Sequence, residues 1–346
     1  MADQVSDMLG ADLETGRVPR NYGDLIKSAN LSRDEIRELH RINNGRAILD
    51  FLSAILATAA VPLLYALYPH PLTAAVCVLL SIHNFNCFAQ IAHASGHRKL
   101  VTDPRWNDRI GDLASAFDGY RLRGHAAAHQ IHHVKLNTPE DADLIWGRPD
   151  QPTSEIARLW LQDLFMISAV QRFLQYLRGN KGSAATTGAS KFSPSALFTM
   201  ARNLLPVASV QCIIVLYYTA LLGPQFYLYF YVLPILTLYP AQIRLRTACE
   251  HGFEAGFSPR TPDERWVTRS TQANFFERFV IVPLHGEYHF EHHVLPNAPY
   301  YNLPRVRRIF KERGIKVPLA PGYFRFVLQR WRAERTSGLR EQNSAV

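Results

Sequence analysis

The chain has 346 residues, 47% of them hydrophobic, with a formal net charge of +9 and four cysteines. That length allows one large or two ordinary domains. Cys77, Cys87, Cys212 and Cys249 show no CxxC spacing, which excludes a zinc ribbon, an iron–sulfur ligand run and a disulfide framework and leaves them as expected buried packing residues.

Residues 1–47 read as a cytoplasmic N-terminal arm. It begins polar and partly acidic, without the basic-then-apolar pattern of a secretory signal, so insertion without a cleaved leader is expected. Ser32 followed by Glu35 reads as a capping box opening a short lead-in helix through Ile36 and Leu39.

Residues 51–97 and 203–243 contain no Asp, Glu, Lys or Arg. A spanning helix needs about 20 apolar residues, so each block predicts two spans, at 51–68 and 72–90 and at 204–222 and 226–243. The reversals Tyr68–Pro71 and Leu222–Gln225 carry no Lys or Arg, whereas the N-terminal arm, the middle loop and the C-terminal part hold all 38 basic residues. Charge asymmetry places those three segments together in the cytoplasm. The fold class is therefore an all-α integral membrane protein, with four transmembrane helices in two hairpins and a cytoplasmic helical cap. His83, Asn84 and Asn86 lie within the second span and are expected to face the bundle interior, His83 as packing in preference to ligand.

His93 and His97 follow the second span at i, i+4 spacing, which stacks two side chains on one helix face. The middle loop, 98–202, carries His129, His132 and His133 as HxxHH, then Glu140, Asp141 and Asp143. These acids read either as acceptors behind the histidines or as a solvated turn after Pro139. Trp160–Leu177 has an apolar stripe broken by Gln162, Asp163, Gln171 and Arg172 and reads as one interfacial helix, followed by a flexible linker, GNKGSAATTGAS. In the fourth span Pro234 and Pro240 predict kinks. Tyr217, Tyr218, Tyr227, Tyr229 and Tyr231 suit an aromatic belt at the outer boundary or the lining of a substrate tunnel. A second HxxHH follows at His289, His292 and His293, and the tail 316–346 alternates basic and apolar residues as a membrane-surface stretch does.

Fourteen histidines placed at random would produce HxxHH about 0.02 times, so two copies beside an HxxxH pair form a pattern. Imidazole suits Zn, Cu, Fe and Ni, and one catalytic zinc needs only three protein ligands, so eight clustered histidines argue for two metals. In HxxHH the last two side chains diverge by about 100°, which lets one cluster serve both ions. His125 and His285 each precede a cluster by four residues and read as pocket or supporting residues in preference to ligands.

Three segments, HASGH at 93–97, HQIHH at 129–133 and HFEHH at 289–293, with the closing HHVLPNAPYYNLP, resemble the boxes of the membrane-bound fatty acid desaturase and hydroxylase superfamily over roughly residues 50–315. The resemblance implies a catalytic domain at 48–315 and one further histidine ligand, for which His251, in RTACEHG, is placed. The implied metal ligands are then His93, His97, His129, His132, His133, His251, His289, His292 and His293. It also implies two Fe ions, O2 as co-substrate, a lipid or acyl-chain substrate and electrons from a separate ferredoxin or cytochrome-type donor, since no fused haem domain is visible. The expected reaction is fatty acyl desaturation, with hydroxylation or ketolation of an apolar substrate as the alternative. His289 stands where front-end desaturases carry Gln, which argues against that subgroup.

Two other classes are weighed. A membrane haem electron carrier needs paired axial ligands facing each other across spans, whereas these clusters lie beyond the spans. A zinc hydrolase would show H-E-x-x-H, which is absent. Basic residues beside spans have a topological explanation, so nucleic acid is not an expected partner.

Overall fold

In the computed structural model the described residues are 22–148, 151–177, 194–251 and 268–344. The chain is mostly helical. Among the described residues four helical stretches are long and apolar enough to cross a membrane: Arg33–Leu67, Pro71–Gly96, Leu204–Leu221 and Pro224–His251. The expected linker at 179–190 and residues 1–21 of the expected N-terminal arm lie outside the described residues. Contacts divide the chain into a histidine unit, Met1–Arg41, Ile131–Trp160 and Gln242–Val346, and a span unit, Ile42–Gln130 and Leu161–Ala241.

In the span unit, Asn43 caps the Asn44–Leu67 helix through the Arg46 amide. This helix packs on Pro71–Gly96 by pairing Phe51 with Phe88 and the Val61 carbonyl with Cys77, so the paired numbers run in opposite directions. Pro71 at the first turn and the His70 imidazole, which accepts the Leu72 amide, start the second helix. It runs to Gly96, beyond the expected end near Gln90, with His93 inside it and His97 as its C-cap. Ala92, Ala94 and Ser95 offer no reason to stop, and the helix closes only where Arg98 turns left-handed at φ 56°.

That last turn is clamped to Pro104–Phe117. Ser95 Oγ donates to the Asn107 carbonyl, and Asn107 Nδ2 donates back to the Ser95 carbonyl. Asn107 Oδ1 also accepts the Leu100 amide. A Cβ on Gly111 would lie 2.0 Å from Ser95 Oγ, so the helices approach this closely only because residue 111 is glycine. Cys77, Phe85, Val210, Ile214, Tyr218, Phe230 and Tyr231 form the apolar core beneath.

Several expectations need correction. Cys212 is exposed rather than buried. Tyr218 and Tyr231 are buried, and Tyr217 and Tyr227 donate to the Ala59 carbonyl and Gln211, so of the five tyrosines only Tyr229 is largely exposed. The 160–177 stretch is two helices, Thr153–Leu164 and Ile167–Leu177, broken at Met166, φ 60°. In the fourth span the interruptions are a π-turn at Leu228–Val232 and a break at Thr237. Pro234 and Pro240 have no N–H for the carbonyls of Phe230 and Leu236, and the helix is irregular where those bonds are missing.

In the histidine unit, Ser32 and Glu35 form the expected capping box on Arg33–Leu39. Asn302 Nδ2 donates to the Leu39 carbonyl, and Leu303, Val306, Ile309 and Phe310 bury one face of Leu303–Glu312. Among the described residues the unit departs from an all-helical fold where Ser270–Thr271 pairs in parallel with Leu319–Ala320. That short ladder leads directly into the helix Tyr323–Ser344.

Candidate metal centre

Four histidines of the histidine unit converge: His132, His251, His289 and His293, with ligand atoms all within 4.8 Å of one another. His132 lies near the end of the Leu122–Lys135 helix, His251 at the end of Leu238–His251, and the other two on the short helix His289–Val294. His289 Nε2 faces His251 Nε2 at 2.8 Å, and ring centroids are 4.8 Å apart for His132–His251, 5.1 Å for His132–His293 and 4.6 Å for His289–His293.

His293 tests whether this group suits a metal. It is buried, and among the described residues neither ring nitrogen has a hydrogen-bond partner. Burial, with His133, His289, His132 and His251 around it, holds its pKa well below the ordinary value, so the ring is neutral. Each unsatisfied buried polar atom costs about 1–3 kcal/mol, and a neutral imidazole with open lone pairs is what a borderline metal ion takes. The residues therefore fit a metal.

Two of the four are braced by carboxylates. Asp141 Oδ1 lies 2.8 Å from His132 Nδ1, and Asp143 Oδ2 lies 3.6 Å away. Asp141 is itself fixed by the amides of Asn137 and Asp143 as it caps the short turn Ala142–Ile145. Burial works to lower the His132 pKa, but the Asp141 hydrogen bond and the charges of Asp143, Asp141 and Glu250 outweigh it, leaving the pKa raised. Glu250 Oε2 stands 3.5 Å from His289 Nδ1. In both histidines Nδ1 faces a carboxylate, the arrangement that orients Nε2 toward a metal.

Neighbouring residues in each box point elsewhere. His133 Nε2 and His292 Nε2 face each other at 3.0 Å. Glu291, fully buried within the third box, turns away to accept from Ser270 Oγ and from Arg307, whose Nη2 is 3.1 Å from Oε2. Arg307 also lies over the Tyr288 ring at 4.1 Å. These contacts set the rotation of the box helix, so His292 and His293 serve different neighbours.

The span unit holds a second group. His93 Nε2 lies 2.7 Å from His129 Nε2, and His97 is 4.9 Å from His93 and 5.1 Å from His129 between ring centroids. His125 stacks on His129 at 6.0 Å and 11°, and these four with Gly96, Ala126 and Gln130 line a pocket. Burial, then His125 and Lys99, lower the His97 pKa to about 4, so it too is neutral. A Cβ on Gly96 would come within 3.2 Å of the Ala126 Cβ, a tight approach between the two histidine-bearing helices.

All nine expected ligands thus fall in three sets: four converging, one facing pair and one trio. His83 instead contacts Cys87 at 3.5 Å, and His285, at φ 63°, stacks edge-on with Tyr288. Glu250 and Glu291 escaped the sequence reading although each adjoins a box or ligand histidine, because an acid beside a histidine does not announce which way it points.

A family model described as fatty acid desaturase matches residues 69–322. The chain belongs to the fatty acid desaturase family. The match begins later and ends a little further on than the boxes alone suggest. Among curated relatives, a dihydrorhizobitoxine desaturase of Bradyrhizobium elkanii is 26% identical over 237 residues, 63% of this chain and 62% of the relative. The desaturase family is membrane-associated and acts on lipid substrates, and the four apolar helices make this member an integral membrane protein.

Proposed function

We propose that this protein is an O2-dependent di-iron oxidoreductase that desaturates a fatty acyl lipid. The observation that carries the reading is the convergence of His132, His251, His289 and His293, three of them buried and His289 half-buried, with His132 and His289 backed by carboxylates and His293 held neutral by burial. These four are assigned to one iron. His93, His97, His129, His133 and His292 are the remaining ligands that the family resemblance implies. Iron is chosen because imidazole suits it and the family's chemistry requires a redox metal.

When bound, the irons supply reductive activation of O2 and removal of hydrogen from an unactivated C–H. The balance is –CH2–CH2– with O2, two electrons and two protons giving –CH=CH– and two waters. The histidines hold the metals and move no proton. Asp141, hydrogen-bonded to His132 Nδ1, and Glu250, 3.5 Å from His289 Nδ1, orient the two rings so that Nε2 points inward. The apolar spans offer a water-poor surface for an acyl chain, whose placement decides which carbon is attacked.

The spans are read as two hairpins with the boxes and both termini on the cytoplasmic side, where charge asymmetry places them. A net charge of +9 favours an acidic electron donor of ferredoxin or cytochrome type. The relative's name is that of a desaturase, which supports desaturation; hydroxylation or ketolation is the second reading, because oxygen return to the first carbon needs only a different substrate placement.

Metal content per chain on detergent-purified protein, with its visible spectrum, tests this. Two irons and no Soret band are expected, followed by new double bonds on lipid profiling. One zinc, or haem, would overturn the reading, as would activity without O2 or reductant.

A further inference from the structure

The carboxylate behind His289 is held from a distant part of the chain. Glu250 is buried, and its Oε1 accepts from the Tyr323 hydroxyl at 2.9 Å and from Arg246 Nε at 3.2 Å. Oε2 lies 3.5 Å from both Arg246 Nη2 and His289 Nδ1, so the Tyr323 hydroxyl is the donor that holds Oε1 from outside the Glu250 helix. A carboxylate that loses a donor gains freedom about its last torsion.

Tyr323 is itself fully buried and pinned along its backbone. Its amide donates to Glu277 Oε1 at 2.8 Å, and its carbonyl accepts Cys249 Sγ at 3.3 Å. Gly322 before it takes φ 119°, and a Cβ there would lie 3.2 Å from Glu277 Oε2, so only glycine lets the chain enter here. Upstream, the amide of Gln272 donates to the Ala320 carbonyl, which locks the register of the entering strand. A segment whose composition reads as a membrane-surface tail thus begins in the carboxylate layer under the histidines, one residue beyond the family match.

We infer that Tyr323 is a positioning residue for the metal assigned to His132, His251, His289 and His293, acting through Glu250 on the orientation and tautomer of His289. The inference rests on the metal reading above. A hydroxyl that holds Glu250 Oε1 keeps Oε2 turned to Nδ1, and a proton on Nδ1 makes Nε2, the nitrogen facing His251, the one that can ligate the metal.

Chelator competition on the full-length, iron-loaded protein tests this, with iron per chain followed for the parent, Tyr323→Phe, Glu250→Gln and the double variant. Tyr323→Phe should release one of two irons at about 10-fold lower chelator activity, the lower range for losing a supporting group, while the other iron holds at the parent concentration. The double variant should be no weaker than Glu250→Gln alone, because the tyrosine acts through the acid. Parent-like retention in Tyr323→Phe, parallel loss of both irons as in a folding defect, or additive losses in the double variant would each sink the role of Tyr323. A parent that binds no iron would sink the metal reading with it.

Discussion

The two histidine groups reach the same end by different physics. In the histidine unit, His132 and His289 are aimed by carboxylates, Asp141 and Glu250, each tied down by further donors. In the span unit, His93 and His97 are aimed by close packing: they ride on the last turn of a helix clamped by Ser95, Asn107 and Gly111. The charge environments differ in sign as well. Acids hold the His132 pKa up, whereas burial, His125 and Lys99 hold that of His97 down. A hydrogen-bonded brace tolerates backbone movement but depends on charge; a packed brace ignores charge but tolerates no added atom.

The largest test removes an imidazole outright. His132→Ala or His293→Ala should lower oxidation by more than about 100-fold, beyond the range for losing a mere supporting group, with membrane insertion intact. Activity and iron content on extracted membranes check it, and an active, iron-loaded His132→Ala protein would end the assignment. Next, Asp141→Asn keeps the shape but removes the charge, and metal affinity should fall about 10–100-fold in chelator competition. Equal affinity would mean that the hydrogen-bonded brace is idle and the contrast between the groups is false.

Gly111→Ala probes the packed brace. Its new methyl meets Ser95 Oγ, Ser95 Cβ and Leu122 Cδ2 within 2.8 Å, so overpacking should cost about 1–3 kcal/mol of stability. Thermal unfolding measures it, and a neutral result would show that the clamp has slack. The smallest effect concerns Glu287, buried below the third box. Burial raises its pKa above 4.5 despite Arg278 and Arg307. A carboxyl raised on folding prefers its protonated form, so it lowers stability as pH climbs from the ordinary value through the raised one. Glu287→Gln should therefore stabilise slightly at neutral pH, with the gain vanishing in acid; a constant gain at all pH values would reject the titration account.

Much of this was legible because local composition has direct physical consequences. Charge-free blocks mark spans, since a charge in hydrocarbon is costly, and Ser32 with Glu35 marks a helix start, since orphan amides need an acceptor. Other features were not legible. The helix carrying His93 overran its expected end because helix length follows capping, and Arg98 in a left-handed conformation supplies the cap. Cys212 and Cys77 both lie in apolar stretches, yet one is exposed and the other buried, because burial depends on which helix face meets a neighbour. Asp141 and Asp143 stood balanced between brace and solvated turn until the fold put Asp141 on His132.

The sequence alone determined the family, the number of apolar helices and the identity of the histidines, all of which depend on residue type and short spacing. Only the tertiary structure decided that His132 joins His251, His289 and His293 while His133 turns to His292. It alone also brought Asp141, Glu250 and, through 73 positions of chain, Tyr323 into the layer behind them. Spacing along a helix fixes an angle between side chains, but which partner waits at that angle depends on segments that meet only when the chain folds.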